Sequence, residues 1–265
     1  MTIFVLMLTP GTHGLSKRDE AMPELSIIMP CLNEEKTLPG AVAKLNDVIV
    51  PTSLNVETII LDDESQDKTL QVATDLIEQY PALHIRVFHR VRRRVGFGAI
   101  VRYGMAHATS RYCAFVSADG LDPVELLPEF VKCLRAGAQH VQCSRYLRPE
   151  DAQTVPRKYQ LYQSVYRWLI QLLLRQEIKD STYGFRAFDR VYVQALGVTS
   201  NRFSLCPEIT FKVLLSGAKM EYLPGHQLPY HLAGGSTKFQ LPHESPGHLY
   251  VLLRAWLHRL GFYWF

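Results

Sequence analysis

Residues 56–69 read VETIILDDESQDKT. Val56 to Leu61 is a mostly apolar run of strand length, rich in β-branched and aliphatic side chains. It delivers Asp62, Asp63 and Glu64 at once, and then Ser65, Gln66 and Asp67. The same pattern recurs on both sides. Leu25 to Met29 runs into Pro30-Cys31-Leu32-Asn33-Glu34-Glu35, and Tyr112 to Val116 runs into Ser117-Ala118-Asp119. Three buried-looking strands thus carry polar groups at their carboxyl ends, the edge at which open α/β sheets bind ligands. That points to a nucleotide or nucleotide-sugar site.

The intervening segments have helical spacing. Leu38, Val42, Leu45 and Ile49 recur along 34–49, and further helices are expected over 67–79, over 96–108 (opened by Gly96-Phe97-Gly98) and over 124–136. Short strands are expected at 83–87 and 140–144. Strands alternating with helices predict an α/β fold with a mostly parallel central sheet. From Arg157 the character changes: Tyr159, Tyr162, Val165, Tyr166, Trp168 and Leu172 make an apolar, aromatic helix. It reads either as a packing helix or as one lying in a membrane interface, with Arg157, Lys158 and Arg167 toward headgroups. A second amphipathic helix, from His248 to Leu260, ends in Phe262-Tyr263-Trp264-Phe265. Such aromatics suit a bilayer boundary or a homodimer interface. The expected division is a flexible arm at 1–24, one α/β domain at 25–240 and a C-terminal amphipathic helix at 241–265.

The 265 residues are 47% hydrophobic, enough for a sizeable core. A net charge of +4 does not argue for nucleic acid. The cluster Arg90, Arg92, Arg93 and Arg94 is either a solvated loop or a contact for phosphate or an anionic membrane. Five cysteines without a C-x-x-C pair argue against zinc and for reduced thiols in a cytosolic domain. Met1 to Leu8 is too short to span a bilayer, and nowhere do about 18 apolar residues follow one another. Any membrane contact is expected to be peripheral, at the inner face.

Pro30 is expected to end its strand, because it has no N–H for a ladder. Asn33 and Glu34 then cap the next helix or hydrogen-bond a ribose or base. Asp67 or Ser65 suits a cap, but Asp62 and Asp63 come too early for one. Their carboxylates suit a uracil or guanine N–H and ribose hydroxyls.

Taken together, the motifs resemble family 2 glycosyltransferases of the GT-A fold, in particular the dolichol- and polyprenyl-phosphate mannose or glucose synthase branch. The matching positions are Pro30, Asn33 and Glu34; Asp62, Asp63, Ser65, Asp67 and Thr69; Gly96, Gly98 and Ala99; Ser117 and Asp119; Pro123 and Glu125; Ser144-Arg145-Tyr146; and Asp180, Thr182, Gly184, Phe185, Arg186 and Phe188. Glu208 falls where the branch has a Glu, and Gly235-Ser236-Thr237-Lys238 resembles its G-x-S-K end. The match spans about 25–238.

The resemblance implies an inverting transferase that takes a sugar from a UDP- or GDP-sugar. It assigns donor binding to Pro30, Asn33, Glu34, Asp62, Asp63, Gly96, Gly98, Ser117, Ala118, Asp119, Arg145 and Lys238, and catalysis to Asp119, Glu208 and Arg186. It implies Mg²⁺ or Mn²⁺ held by Asp119 with Asp122. The chain departs from the pattern at the metal: the first Asp of D-x-D is Ser117, and Leu121 stands where the branch often has Gln. The branch's Arg before G-x-S-K is also replaced, by Leu232. The implied acceptor is a polyprenyl phosphate, whose oxygen attacks without a base. A small-molecule or glycan hydroxyl would need one, for which Glu208 and His231 are candidates. The alternative to an enzyme is a decayed protein that binds a nucleotide-sugar without turnover. A nucleotidyltransferase is disfavoured for want of a Gly- and Lys/Arg-rich phosphate loop near the N-terminus.

Overall fold

The computed structural model describes residues 7–8, 22–90, 96–229, 238–262 and 265. Arg92, Arg93 and Arg94, the expected His231 base, Leu232, Gly235 to Thr237 and the Tyr263-Trp264 pair lie outside the described residues, as does most of the expected arm. Within that arm, Met7–Leu8 (β1) forms a short strand.

The described strands make one eight-stranded sheet, in the order β1-β4-β3-β2-β5-β7-β6-β8. Its members are β2 (Leu25–Cys31), β3 (Val56–Asp62), β4 (Ile85–His89), β5 (Tyr112–Phe115), β6 (His140–Ser144), β7 (Arg186–Asp189) and β8 (Met220–Pro224). β2 lies parallel between β3 and β5, β4 is parallel to β3, and β8 is parallel to β6. β7 runs antiparallel to both neighbours, and β1 antiparallel to β4. The parallel set matches the sequence expectation.

Helices α1 (Leu38–Ile49), α2 (Thr69–Gln79) and α4 (Leu127–Arg135) cover one face, packing on Leu25, Ile27, Met29, Val56 and Ile60. The other face packs Ile28, Ile59, Leu61 and Phe115 under α3 (Phe97–His107), α6 (Arg190–Ala195) and α7 (Leu205–Leu215). With both faces covered, the central strands are mostly apolar rather than alternating, with Ser26, Glu57 and Thr58 as their buried polar exceptions. Outside α7, α5 (Arg157–Leu174) packs with α8 (Leu241–Arg259) through Tyr166, Ile170, Val251 and Ala255.

Three expectations need correction. Pro30 does not end β2; the strand continues to Cys31, with Pro30 opposite Leu61. The Ile28 carbonyl accepts from Val116 N, so Pro30, two residues on, turns its missing donor to the same side. The β5 pairing has already ended there, at Phe115, and no ladder bond is lost. Next, α1 starts at Leu38 rather than Glu34. Finally, β7, α6, α7 and β8 have no counterpart among the expected elements. β7 is four residues long. α7 is buried from Leu205 to Val213 and shows no polar face to betray a helical period.

Candidate active site

A cleft of about 960 Å³ opens across the carboxyl ends of β2, β3 and β5. Pro30, Asn33 and Glu34 from the first strand end, Asp63 from the second and Ser117, Ala118, Asp119 and Asp122 from the third all line it. Asp63 and Asp119, separated by 56 positions in sequence, face one cavity.

The first two loops are sewn together. Asn33 N donates to Ser65 Oγ (2.9 Å), and Asn33 Oδ1 accepts from Gln66 N (2.7 Å). Glu34 N donates to Thr69 Oγ1 (2.7 Å), Glu35 N to Asp67 Oδ2 (3.2 Å), and Lys68 N to Glu35 Oε2 (3.0 Å). Asn33 and Glu64 hold left-handed backbone at φ 55° and 57°, uncommon for residues with a side chain. Asp67 accepts from the N–H and hydroxyl of Thr69; slight burial opposes its charge, but these bonds hold its pKa below the ordinary value. Much of the D-D-x-S-x-D-x-T motif therefore builds the cleft rim. Across it, Lys238 Nζ donates to the Leu32 carbonyl and to Glu34 Oε1.

The two neighbouring aspartates part company. Asp62 is fully buried, does not line the cleft, and meets His89 Nδ1 through Oδ2 at 2.6 Å. Asp63 faces the cleft, and its Oδ1 accepts from both Nε (2.8 Å) and Nη2 of Arg90.

At the end of β5, Ser117 sits between two carboxylates. Its Oγ is 2.6 Å from Asp119 Oδ1 and 2.8 Å from Asp122 Oδ2. Asp122 Oδ2 also accepts from Ser117 N, and Oδ1 from Tyr183 Oη (2.7 Å). Burial, and then the Asp119 charge, push the Asp122 pKa up to about 6. Asp119 Oδ1 accepts in addition from Leu121 N (3.0 Å), whereas Oδ2 has no hydrogen-bond partner among the described residues. Asp122 is thus committed to Ser117 and Tyr183, and Asp119 turns one oxygen to the cleft. Among the described residues no group of three or more His, Cys, Asp or Glu side chains forms a metal cluster.

Arg145 also lines the cleft. Its Nε donates to Asp180 Oδ2 (2.9 Å) and its guanidinium stacks on Tyr183, 4.4 Å from the ring centre. Burial works against its charge, but Asp180 overrides burial and raises its pKa. The far wall is aromatic and was not assigned to the site from sequence. Phe97 stacks on Phe203 at 4.8 Å, Phe203 meets Phe239 edge-on at 5.5 Å, and Tyr159 meets Phe239 at 5.9 Å. The aromatic run of α5 was the available signal.

Glu208, Arg186 and Gly98 do not line the cleft. The alternation of β7 puts Phe185 and Ala187 on one face and turns Arg186 toward α7. There, fully buried, its guanidinium donates to the carbonyls of Cys206 (2.7 Å), Ser181 (3.3 Å) and Tyr183, and to Thr210 Oγ1. Two of those carbonyls belong to the loop behind the cleft wall. Glu208, also fully buried, accepts from the N–H groups of Thr199 (3.0 Å) and Ser200 (2.7 Å). The loop pinned in this way crosses the start of α3. A Cβ on Gly98 would lie 2.4 Å from the Ser200 carbonyl oxygen, so Gly98 answers to that loop. Gly96, with φ +98°, reaches the cleft.

The family described as "Glycosyl transferase family 2" matches residues 26–197, well over half of the chain, and the chain belongs to that family. A dolichol-phosphate mannosyltransferase of Pyrococcus furiosus is 26% identical over 71% of this chain and 53% of its own length. A dolichyl-phosphate beta-glucosyltransferase of Drosophila melanogaster is 28% identical over 68% of this chain and 59% of its own. The chain spans about half the length of the curated relatives it matches. Among solved structures, glucosyl-3-phosphoglycerate synthase from Mycobacterium tuberculosis in complex with UDP superimposes with a TM-score of 0.62 at 19% identity, covering 90% of this chain and 80% of that one. That likeness establishes the nucleotide-sugar transferase fold.

Proposed function

From membership of glycosyl transferase family 2, we propose that the protein transfers a sugar, with inversion, from a nucleotide-diphosphate sugar to a polyprenyl phosphate or a related phosphorylated acceptor. The observation that carries this reading is the single cleft shared by Asp63 of the β3 end, Asp119 of the β5 end and Arg145 of the β6 end. In this reading the β2 and β3 loops hold the nucleoside, Asp63 accepting from the base or ribose, and Asp119 faces the diphosphate. Gly96 lets backbone approach the donor. Arg145, at the opposite wall, faces the acceptor.

A cation that arrives with the donor fits this arrangement. Mg²⁺ and Mn²⁺ take oxygen ligands and keep phosphates and waters among them, so one outward carboxylate oxygen of Asp119 suffices. Such an ion would neutralise charge on the leaving diphosphate. Asp122 holds Ser117 and Tyr183, and thereby the orientation of Asp119. Solved complexes of the similar synthase contain Mn²⁺ with UDP, in keeping with this assignment.

A phosphate acceptor is already an anion and needs no base. The burial of Glu208 fits that choice, and the relatives named for dolichyl phosphate support it. A lipid acceptor also fits the outer surface: Leu161, Val165, Trp168 and Leu172 form an exposed stripe on α5, and Leu249, Tyr250 and Leu253 are exposed on α8. Arg157, Lys158 and Arg175 stand at the ends of the α5 stripe, where headgroups would lie. Among the described residues no helix is long and apolar enough to cross a membrane, so this contact would be interfacial. The five free thiols fit a reducing, cytoplasmic side. A small phosphorylated acceptor is the second reading, since the similar synthase has been solved with phosphoglyceric acid.

A screen of UDP- and GDP-sugars, with and without Mg²⁺ or Mn²⁺, against polyprenyl phosphate and 3-phosphoglycerate tests the proposal. Transfer to the lipid phosphate is expected. Nucleotide binding without turnover of any donor would instead mean a decayed site.

A further inference from the structure

Gln163 lies outside every motif of the family match, yet it lines the cleft while almost fully buried, at 1% exposure. It sits on the inner side of α5, one turn after Tyr159 of the aromatic wall, while Leu161, Val165, Trp168 and Leu172 of the same helix are exposed. Both ends of its amide are engaged. Nε2 donates to Asp180 Oδ1 (3.2 Å), and Oε1 accepts from Thr182 Oγ1 (3.1 Å). Those two residues also hold the Arg145 guanidinium. Nε of Arg145 donates to Asp180 Oδ2 (2.9 Å), and Nη2 donates to Asp180 Oδ1 (3.3 Å) and Thr182 Oγ1 (3.4 Å). Arg145, Thr182 and Gln163 all line the cleft, and the fully buried Asp180 joins them.

This inference rests on the phosphorylated-acceptor reading of the same cleft. We infer that Gln163 is a positioning residue that fixes Arg145 in the orientation with which it meets the acceptor phosphate. An uncharged amide suits that task. A second cation at this place would share Asp180 with Arg145, and a second carboxylate would compete for the guanidinium. The amide adds a donor to Asp180 without changing the charge of the pair. It also aims the Thr182 hydroxyl. That proton has two acceptors in reach, Gln163 Oε1 at 3.1 Å and Asp180 Oδ1 at 3.5 Å. The shorter contact leaves an oxygen lone pair for Arg145 Nη2. Held at Nε and Nη2, the planar guanidinium keeps its place over the Tyr183 ring. The polar atoms of Gln163 are spent on Asp180 and Thr182, so its influence on an acceptor runs through Arg145.

The test is a double-mutant cycle over wild type, Gln163→Met, Arg145→Lys and the double variant. Farnesyl phosphate, and separately 3-phosphoglycerate, is titrated calorimetrically into each protein with UDP and Mn²⁺ present. Gln163→Met keeps the length of the side chain and removes both hydrogen bonds. It should weaken the phosphate ligand about tenfold, the size of a lost hydrogen bond to a charged group. UDP affinity, titrated separately, should stay at the wild-type value. Arg145→Lys has lost the fork, so adding Gln163→Met to it should change nothing further. A packing role alone would make the two losses add, and additive losses would overturn the assignment. So would equal weakening of UDP and the phosphate ligand in a folded variant. Thr182→Val, which removes the hydroxyl that Gln163 aims, should also weaken the phosphate ligand selectively. It keeps the test decisive if Gln163→Met does not fold, and phosphate affinity unchanged in Thr182→Val would count against the assignment. A wild type that binds neither phosphate would sink the phosphorylated-acceptor reading itself, an outcome distinct from the pattern among the variants.

Discussion

The charged motif residues of the two halves of the sheet mostly turn in opposite directions, with the buried Asp62 and the cleft-lining Arg145 as exceptions. On the β2–β3–β5 side, polar groups follow each parallel strand and turn outward to the cleft, as Asn33, Asp63 and Asp119 do. On the β6–β7–α7 side, Arg186 and Glu208 turn inward and are fully buried, while the apolar stripe of α5 turns outward. The difference shows that one motif style can encode contact with a ligand in one half and support of the walls in the other. A charge in a family motif is informative about chemistry only once its direction from the strand or helix is known.

Four measurements break or sharpen that contrast. The largest effect is expected on the outward side. Asp119→Asn keeps an acceptor for Ser117 Oγ and Leu121 N but removes the charge facing the diphosphate. Sugar transfer should fall roughly 10³-fold, about 4 kcal/mol, with the thermal midpoint nearly unchanged. Steady-state kinetics beside a melting curve will show it; a large loss of stability instead would make Asp119 structural.

The inward side should give the reverse. Glu208→Ala strands two backbone N–H groups and leaves Lys212, 3.9 Å away, without its buried partner. Stability should drop by about 3 kcal/mol in urea denaturation. A well-folded Glu208→Ala that loses only turnover would return Glu208 to the chemistry.

His248 supplies a pH test of the same inner shell. It is fully buried, meets Tyr162 Oη through Nδ1 at 2.8 Å, and burial pushes its pKa down to about 4. The folded state therefore disfavours the proton that the unfolded chain takes up below about 6.5. Stability should fall as pH drops through that value, by roughly 2 kcal/mol between pH 7 and 5, and level off below about 4. His248→Phe should flatten the profile over that window. An unaltered pH slope in the variant would assign the loss to other groups.

The smallest effect is expected from the outer stripe. Trp168 is 62% and Leu172 58% exposed, so changing both to Glu should leave folding intact. Flotation with anionic liposomes should fall about tenfold, near 1.4 kcal/mol. Equal flotation of wild type and variant would remove α5 from any membrane contact.

The parallel strands and their polar ends were legible because each strand announces itself by an apolar run and stops in acids, as at Leu61-Asp62-Asp63. The aromatic helix was legible by its spacing. What sequence could not deliver was direction. Asp62 and Asp63 are adjacent, and the pleat sends one under the sheet to His89 and the other to the cleft. Arg186 looked like a phosphate ligand until β7 proved antiparallel, with α7 beneath it. Gly98 looked like a close approach to the donor, but its neighbour is the 199–202 loop, more than a hundred positions away along the chain. None of these contacts leaves a local periodic trace.

The central claim is that acidic groups from separate strand ends grip one nucleotide. It is tested most directly by titrating UDP, with Mn²⁺, into wild type, Asp63→Ala and Asp119→Asn. Weakened binding in both variants, with folded-state spectra like wild type, is the predicted result; UDP affinity unchanged by either substitution would contradict it.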